Sequence, residues 1–108
     1  MPTYNKLVRD KILDIIKSKG QIAKYRQLEE REYHQELKRK LQEEVNEYLT
    51  AEDNHKAIEE LADILEVIYA LASVNGHTMS FLNETCNRKR AERGGFENRI
   101  LLIEVENK

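Results

Sequence analysis

The sequence of 108 residues predicts an all-α fold, an antiparallel helical bundle of about four helices, in one domain over residues 1–108. Three observations carry this. The chain holds one proline (Pro2) and four glycines, and such scarce punctuation favours long helices over a meander of strands. Apolar residues recur every three to four positions through most of its length. The stretches between these patterns are short, which makes consecutive helices antiparallel neighbours.

The first helix is expected over residues 4–19, with Leu7, Val8, Ile12, Ile15 and Ile16 at helical spacing and Gly20 as its stop. Residues 21–28 lack a helical stripe and contain Ile22 and Tyr25, so they read as an extended connector or a short strand. A second helix is expected over residues 30–51 on Tyr33, Leu37, Leu41, Val45 and Tyr48. Asp53 and Asn54 are good helix starters, and a third helix follows to about residue 75, closed by Gly76. A fourth begins at Thr78 or Ser80 and ends at Gly94-Gly95. The tail Ile100-Leu101-Leu102-Ile103-Glu104-Val105 is short and rich in β-branched residues. It either makes a two-stranded element, residues 99–105 against 21–28, or docks as a terminal arm.

Composition narrows the function classes. At 40% apolar and 35% charged residues the chain is too apolar for disorder, yet highly charged for a small self-contained core. A single small domain buries only about two-thirds of its unfolded surface, so self-association is a natural supplement. A net charge of −2 gives no general attraction to nucleic acid or membrane. The longest unbroken apolar run, residues 67–72, is far short of the ~20 that span a bilayer. A lone cysteine, Cys86, and an opening (Met1 to Lys6) unlike a signal peptide suggest a cytoplasmic protein.

The acids take distinctive places on helices that turn about 100° per residue. On the second helix Glu44 falls about 20° from Leu37, inside the apolar arc, and Glu47 sits on its edge one turn later. Glu43 points further out. On the third helix Ile64, Val67, Ile68 and Leu71 define the core face; Glu60 lies within it and Asp63 at its edge. Acids on helices more often form a solvated face or pair with lysine, and Lys40, four residues before Glu44, offers such a pair. Here, however, the acids interrupt apolar stripes instead of lying opposite them, on two consecutive helices. Burying ionised carboxylates together is costly, and a divalent cation removes both the desolvation and the repulsion. Oxygen ligands alone suit Mg²⁺, or Mn²⁺ in its place, and the lack of nearby cysteine or paired histidine disfavours zinc.

Glu43-Glu44-Val45-Asn46-Glu47, followed after twelve residues by Glu60-Leu61-Ala62-Asp63, resembles the EExxE…ExxD signature of the all-α nucleoside triphosphate pyrophosphohydrolases. These are the MazG-like enzymes, which include phosphoribosyl-ATP pyrophosphohydrolase. The opening Tyr4-Asn5-Lys6-Leu7-Val8-Arg9-Asp10-Lys11-Ile12 and the ending Arg93-Gly94-Gly95-Phe96-Glu97-Asn98-Arg99-Ile100 resemble the phosphoribosyl-ATP pyrophosphohydrolase-like subgroup. Leu13 stands where that subgroup often has proline. The resemblance implies Glu44, Glu47, Glu60 and Asp63 as Mg²⁺ ligands, with Glu43 orienting them from outside the metal's own sphere. It implies Asn87, Lys89 and Arg93 on the last helix as contacts to the substrate's phosphates. It also implies hydrolysis of a nucleoside triphosphate to the monophosphate and pyrophosphate by a homodimer or homotetramer. The chain's alternatives are phosphoribosyl-ATP as the substrate, or no catalysis at all in a helical interaction module.

The remaining candidates carry less. Arg88, Lys89, Arg90 and Arg93 suit a helix C-terminus electrostatically, and beside a metal site Lys89 and Arg93 become polyphosphate anchors, with Arg9 and Lys11 weaker ones. His34, His55 and His77 read as surface residues, Cys86 as a buried small hydrophobe, and Phe81 and the tyrosines as core. Tyr48 or Tyr69 is placed to border a base pocket.

Overall fold

A computed structural model describes residues 3–107; Met1 and Pro2, at the start of the opening read above, and Lys108 lie outside the described residues. Four helices form: α1 (Ile12–Ser18), α2 (Glu30–Leu49), α3 (Asn54–Val74) and α4 (Met79–Arg93). Among the described residues there is no strand, so the fold is all-α. No helix is long and apolar enough to cross a membrane among those residues.

The centre of the fold is the hairpin of α2 and α3, which pack along one another, while α4 returns more lightly onto α3. Local chemistry fixes the hairpin ends. Thr50 donates its hydroxyl to the Asn46 carbonyl at 3.0 Å at the close of α2. Asp53 opens α3 by accepting from the Lys56 amide at 2.8 Å, and Thr78 opens α4 by accepting from Phe81 at 3.0 Å. Gly76, at φ 83°, closes α3: its amide donates to Ser73 and that of His77 to Ala72, the paired bonds that a left-handed residue allows at a helix end. Gly20 closes α1 in the same way, through Lys17 and Ile16.

The first helix and the two-stranded element both differ from the sequence reading. The first helix spans only Ile12–Ser18, not residues 4–19. Asn5 takes a left-handed conformation (φ 44°), and α1 packs against no other helix among the described residues. A short helix without tertiary support is marginal in water. The two-stranded element is also absent among the described residues. Ile22 is 93% exposed, and Ile100 to Ile103 and Val105 are exposed throughout, so the tail neither pairs nor docks within its own chain. A two-stranded ribbon with nothing beneath it has little stability. The connector is held instead by Arg26, whose guanidinium forks onto both oxygens of Glu32 in the first turn of α2 at 3.0 and 2.5 Å.

The apolar core is correspondingly small. Among the described residues only Leu37 and Val67 are buried hydrophobics, and they face each other's helices in the α2–α3 seam. Phe81 and most tyrosines are not core: Phe81 is exposed and stacks on His77 at 4.3 Å, while Tyr4, Tyr25 and Tyr48 are exposed and Tyr33 and Tyr69 are half-buried. Cys86 is likewise exposed, because α4 covers little of its own surface against α3. His34, read as a surface residue, is half-buried. The radius of gyration is 18.6 Å, against ~13 Å for a compact chain of this length.

Because the Asp53 cap closes an otherwise unsatisfied helix start, Asp53→Ala is expected to cost about 1 kcal/mol, lowering Tm by roughly 4–8 °C. Thermal melting followed by circular dichroism measures it.

Candidate metal centre

The α2–α3 seam carries carboxylates along with its two buried hydrophobics. Glu44, on α2 two turns after Leu37, is only 7% exposed. Glu60, on α3 two turns before Val67, is half-buried, and Glu47 lies on the exposed rim one turn beyond Glu44. One carboxylate oxygen from each of Glu44, Glu47 and Glu60 comes within 4.8 Å of the others. Glu44 Oε2 and Glu60 Oε2 are both buried without a hydrogen-bond partner.

Two cations touch the group. Lys40 Nζ stands 3.6 Å from Glu44 Oε1, one turn back on α2, the pairing that the sequence spacing offers. Arg9 Nη2 stands 2.6 Å from Asp63 Oδ1. Asp63 is therefore held at the edge by arginine while the other three converge. Glu43 is half-buried, more covered than its position on the helical projection suggests.

The electrostatics follow from this placement. Burial pushes the Glu44 carboxyl up to about 7, and the neighbouring Glu47 and Asp63 charges push the same way; Lys40 opposes them without prevailing. The Glu60 carboxyl is also raised, by desolvation first and then by the close approach of Glu47 and the charge of Asp63. Buried oxygens that lack donors and crowd one another are what a cation would relieve. An octahedral Mg²⁺ sets adjacent ligands roughly 3 Å apart and opposite ones roughly 4.2 Å apart, so the three oxygens, which lie within 4.8 Å of one another, would draw together on binding one ion. Glu44, Glu47 and Glu60 could thus hold an oxygen-liganded divalent cation, with Asp63 one turn from Glu60.

The phosphate-binding candidates are not bonded to this group. Asn87, Lys89 and Arg93 are all exposed on α4, and among the described residues no hydrogen bond or ion pair ties them to the carboxylates. Two open depressions of the surface, one along Arg26, Glu32 and Gln35 and one beside Leu41 and Val45, lie outside the cluster. Tyr48 and Tyr69 line neither of these depressions. Sequence reasoning ranked Arg9 low, and its contact with Asp63 joins residues 54 apart, a pairing that no local periodicity reveals.

Comparison of the chain with protein-family models, with curated proteins and with solved structures finds no match.

The raised Glu44 pKa sets a pH dependence with a definite sign. Its ordinary value is 4.5, so between about pH 4.5 and 7 the folded protein keeps a proton that the unfolded chain has lost. Stability of the metal-free protein should therefore fall as pH rises through that window. Glu44→Gln should flatten the fall and raise Tm at pH ~8 by several degrees. Melting curves across pH in the presence of a chelator test it; a wild-type Tm that climbs from pH ~5 to ~7.5 would contradict it.

Proposed function

We propose that this chain is a Mg²⁺-dependent nucleotide pyrophosphohydrolase, cleaving a nucleoside triphosphate to the monophosphate and pyrophosphate. The observation that carries the reading is the convergence of Glu44, Glu47 and Glu60 across α2 and α3, with two of their oxygens buried and unpartnered. The resemblance of Glu43 to Glu47 and Glu60 to Asp63 to the pyrophosphohydrolase signature gives that centre its chemistry.

In this reading Glu44, Glu47, Glu60 and Asp63 hold the cation, and Glu43 steadies them from beside the seam. When bound, Mg²⁺ neutralises phosphate charge and makes water a better nucleophile. Glu47 alone of the converging acids lies on the exposed rim, where water and nucleotide arrive. Its carboxylate takes the proton as water oxygen bonds to the α-phosphorus and the bond from that phosphorus to the bridging oxygen breaks. Pyrophosphate departs in line. Asn87, Lys89 and Arg93, exposed on α4, supply charge and hydrogen bonds to the departing group.

The functional unit in this proposal is a homodimer or homotetramer. Ile58, Leu61 and Leu65 form an exposed apolar stripe on α3, separate from the face that meets α2. Together with the extended single-chain shape, the stripe supports burial against further copies.

Glu60→Gln is expected to abolish Mg²⁺-dependent pyrophosphate release while leaving the metal-free protein at least as stable; wild-type release at saturating Mg²⁺ would refute the assignment. Mg²⁺ at a hundredfold excess over its Kd should stabilise the wild type by about 2.7 kcal/mol. A helical interaction module with no metal site would show no such shift in its melting curve. A panel of canonical nucleotides, damaged nucleotides and phosphoribosyl-ATP separates the substrate classes. Sedimentation velocity should find a dimer or tetramer, and Leu61→Glu should shift it toward monomer.

A further inference from the structure

The carboxylate centre is reached by one cation from outside its own two helices. Arg9 lies in the irregular segment before α1, and its contact with Asp63 spans 54 residues. Every other ion pair among the described residues joins positions no more than six apart. Helix packing does not explain the contact, since Arg9 lies outside the helices and α1 packs against no other helix among the described residues. Stability does not explain it well either: the side chains are 57% and 42% exposed, and such pairs contribute little.

What Asp63 adjoins is more informative. It sits one turn from Glu60, beside a centre in which Glu44 is more than nine-tenths buried and aims an unpartnered oxygen inward. In the pyrophosphohydrolase reading Asp63 joins the three converging acids as a ligand, so a cation held there would compete with Arg9 for its carboxylate. Once displaced, a guanidinium at the rim has a new partner in any bound phosphate, because its planar fork matches phosphate oxygens as well as carboxylate ones.

We propose that Arg9 is a phosphate-binding residue of this site, held on Asp63 in the metal-free chain and passed to the nucleotide's phosphates when the cation takes Asp63. The proposal rests on the pyrophosphohydrolase reading and adds to it a residue contributed by the N-terminal segment. It also gives a task to a segment that forms no helix.

The test is calorimetric titration of the full chain, without turnover. Wild type, Arg9→Gln and Arg9→Lys are titrated with Mg²⁺ alone, then with the α,β-methylene analogues of ATP, GTP, CTP and UTP in Mg²⁺. Arg9→Gln should bind Mg²⁺ alone about two- to fivefold more tightly, because an exposed competitor has gone. It should bind the analogue that wild type prefers at least about tenfold more weakly, with Arg9→Lys between, since an ammonium keeps the charge and loses the fork. Mg²⁺ affinity no tighter in Arg9→Gln, unchanged analogue affinity, or a wild type that binds Mg²⁺ but none of the analogues overturns the role of Arg9 alone. A wild type that binds no Mg²⁺ overturns the hydrolase reading as well.

Discussion

A carboxylate buried in a helix–helix seam without a donor for one of its oxygens is the constraint around which this molecule is arranged. Glu44 takes a place in the α2–α3 interface that an apolar side chain would otherwise fill, and Glu60 answers it from the facing helix. With those positions given to acids, the seam keeps only Leu37 and Val67 as buried hydrophobics. Lys40 offsets part of the charge from one side. The remainder is relieved by protonation, as the raised Glu44 pKa records, or by a cation. The hairpin thus trades apolar contact for a charged centre, and its stability is tied to whatever neutralises that centre.

The rest of the chain shows how little one copy can bury after that exchange. α4 covers α3 only in part, α1 stands by itself, and Ile58, Leu61 and Leu65 face solvent. Large apolar side chains left on regular helices are surface awaiting another layer, since bundles are stable when each apolar stripe meets a partner.

What the sequence revealed of this depended on how local the governing interactions are. Projection on a helical wheel placed Glu44 inside the apolar arc, and it is indeed the most buried acid; the same step placed Leu37 and Val67 at the core. Asp53, Thr78, Gly20 and Gly76 mark helix ends where their chemistry said they would, because caps are made within a few residues. Residues 4–11 failed as helix because a stripe of apolar residues predicts a helix only when something packs on the stripe. The wheel placed Glu43 outward, and it lies half-buried, since neighbouring side chains shade a residue that the wheel treats alone. Arg9 on Asp63 left no trace in periodicity, being a contact between an irregular segment and a helix far along the chain.

The exposed tail carries a consequence of its own. Ile100-Leu101-Leu102-Ile103 has no ladder partner in its own chain and offers its backbone and apolar side chains to any other extended segment. Short runs of this kind template intermolecular strand pairing. Arg99 precedes the run, and Glu104 and Glu106 follow it. Flanking charges of that sort oppose stacking of like segments, since each added chain brings the same charges into register. Arg99, Glu104 and Glu106 thus set charge on both sides of a run that the helices leave exposed.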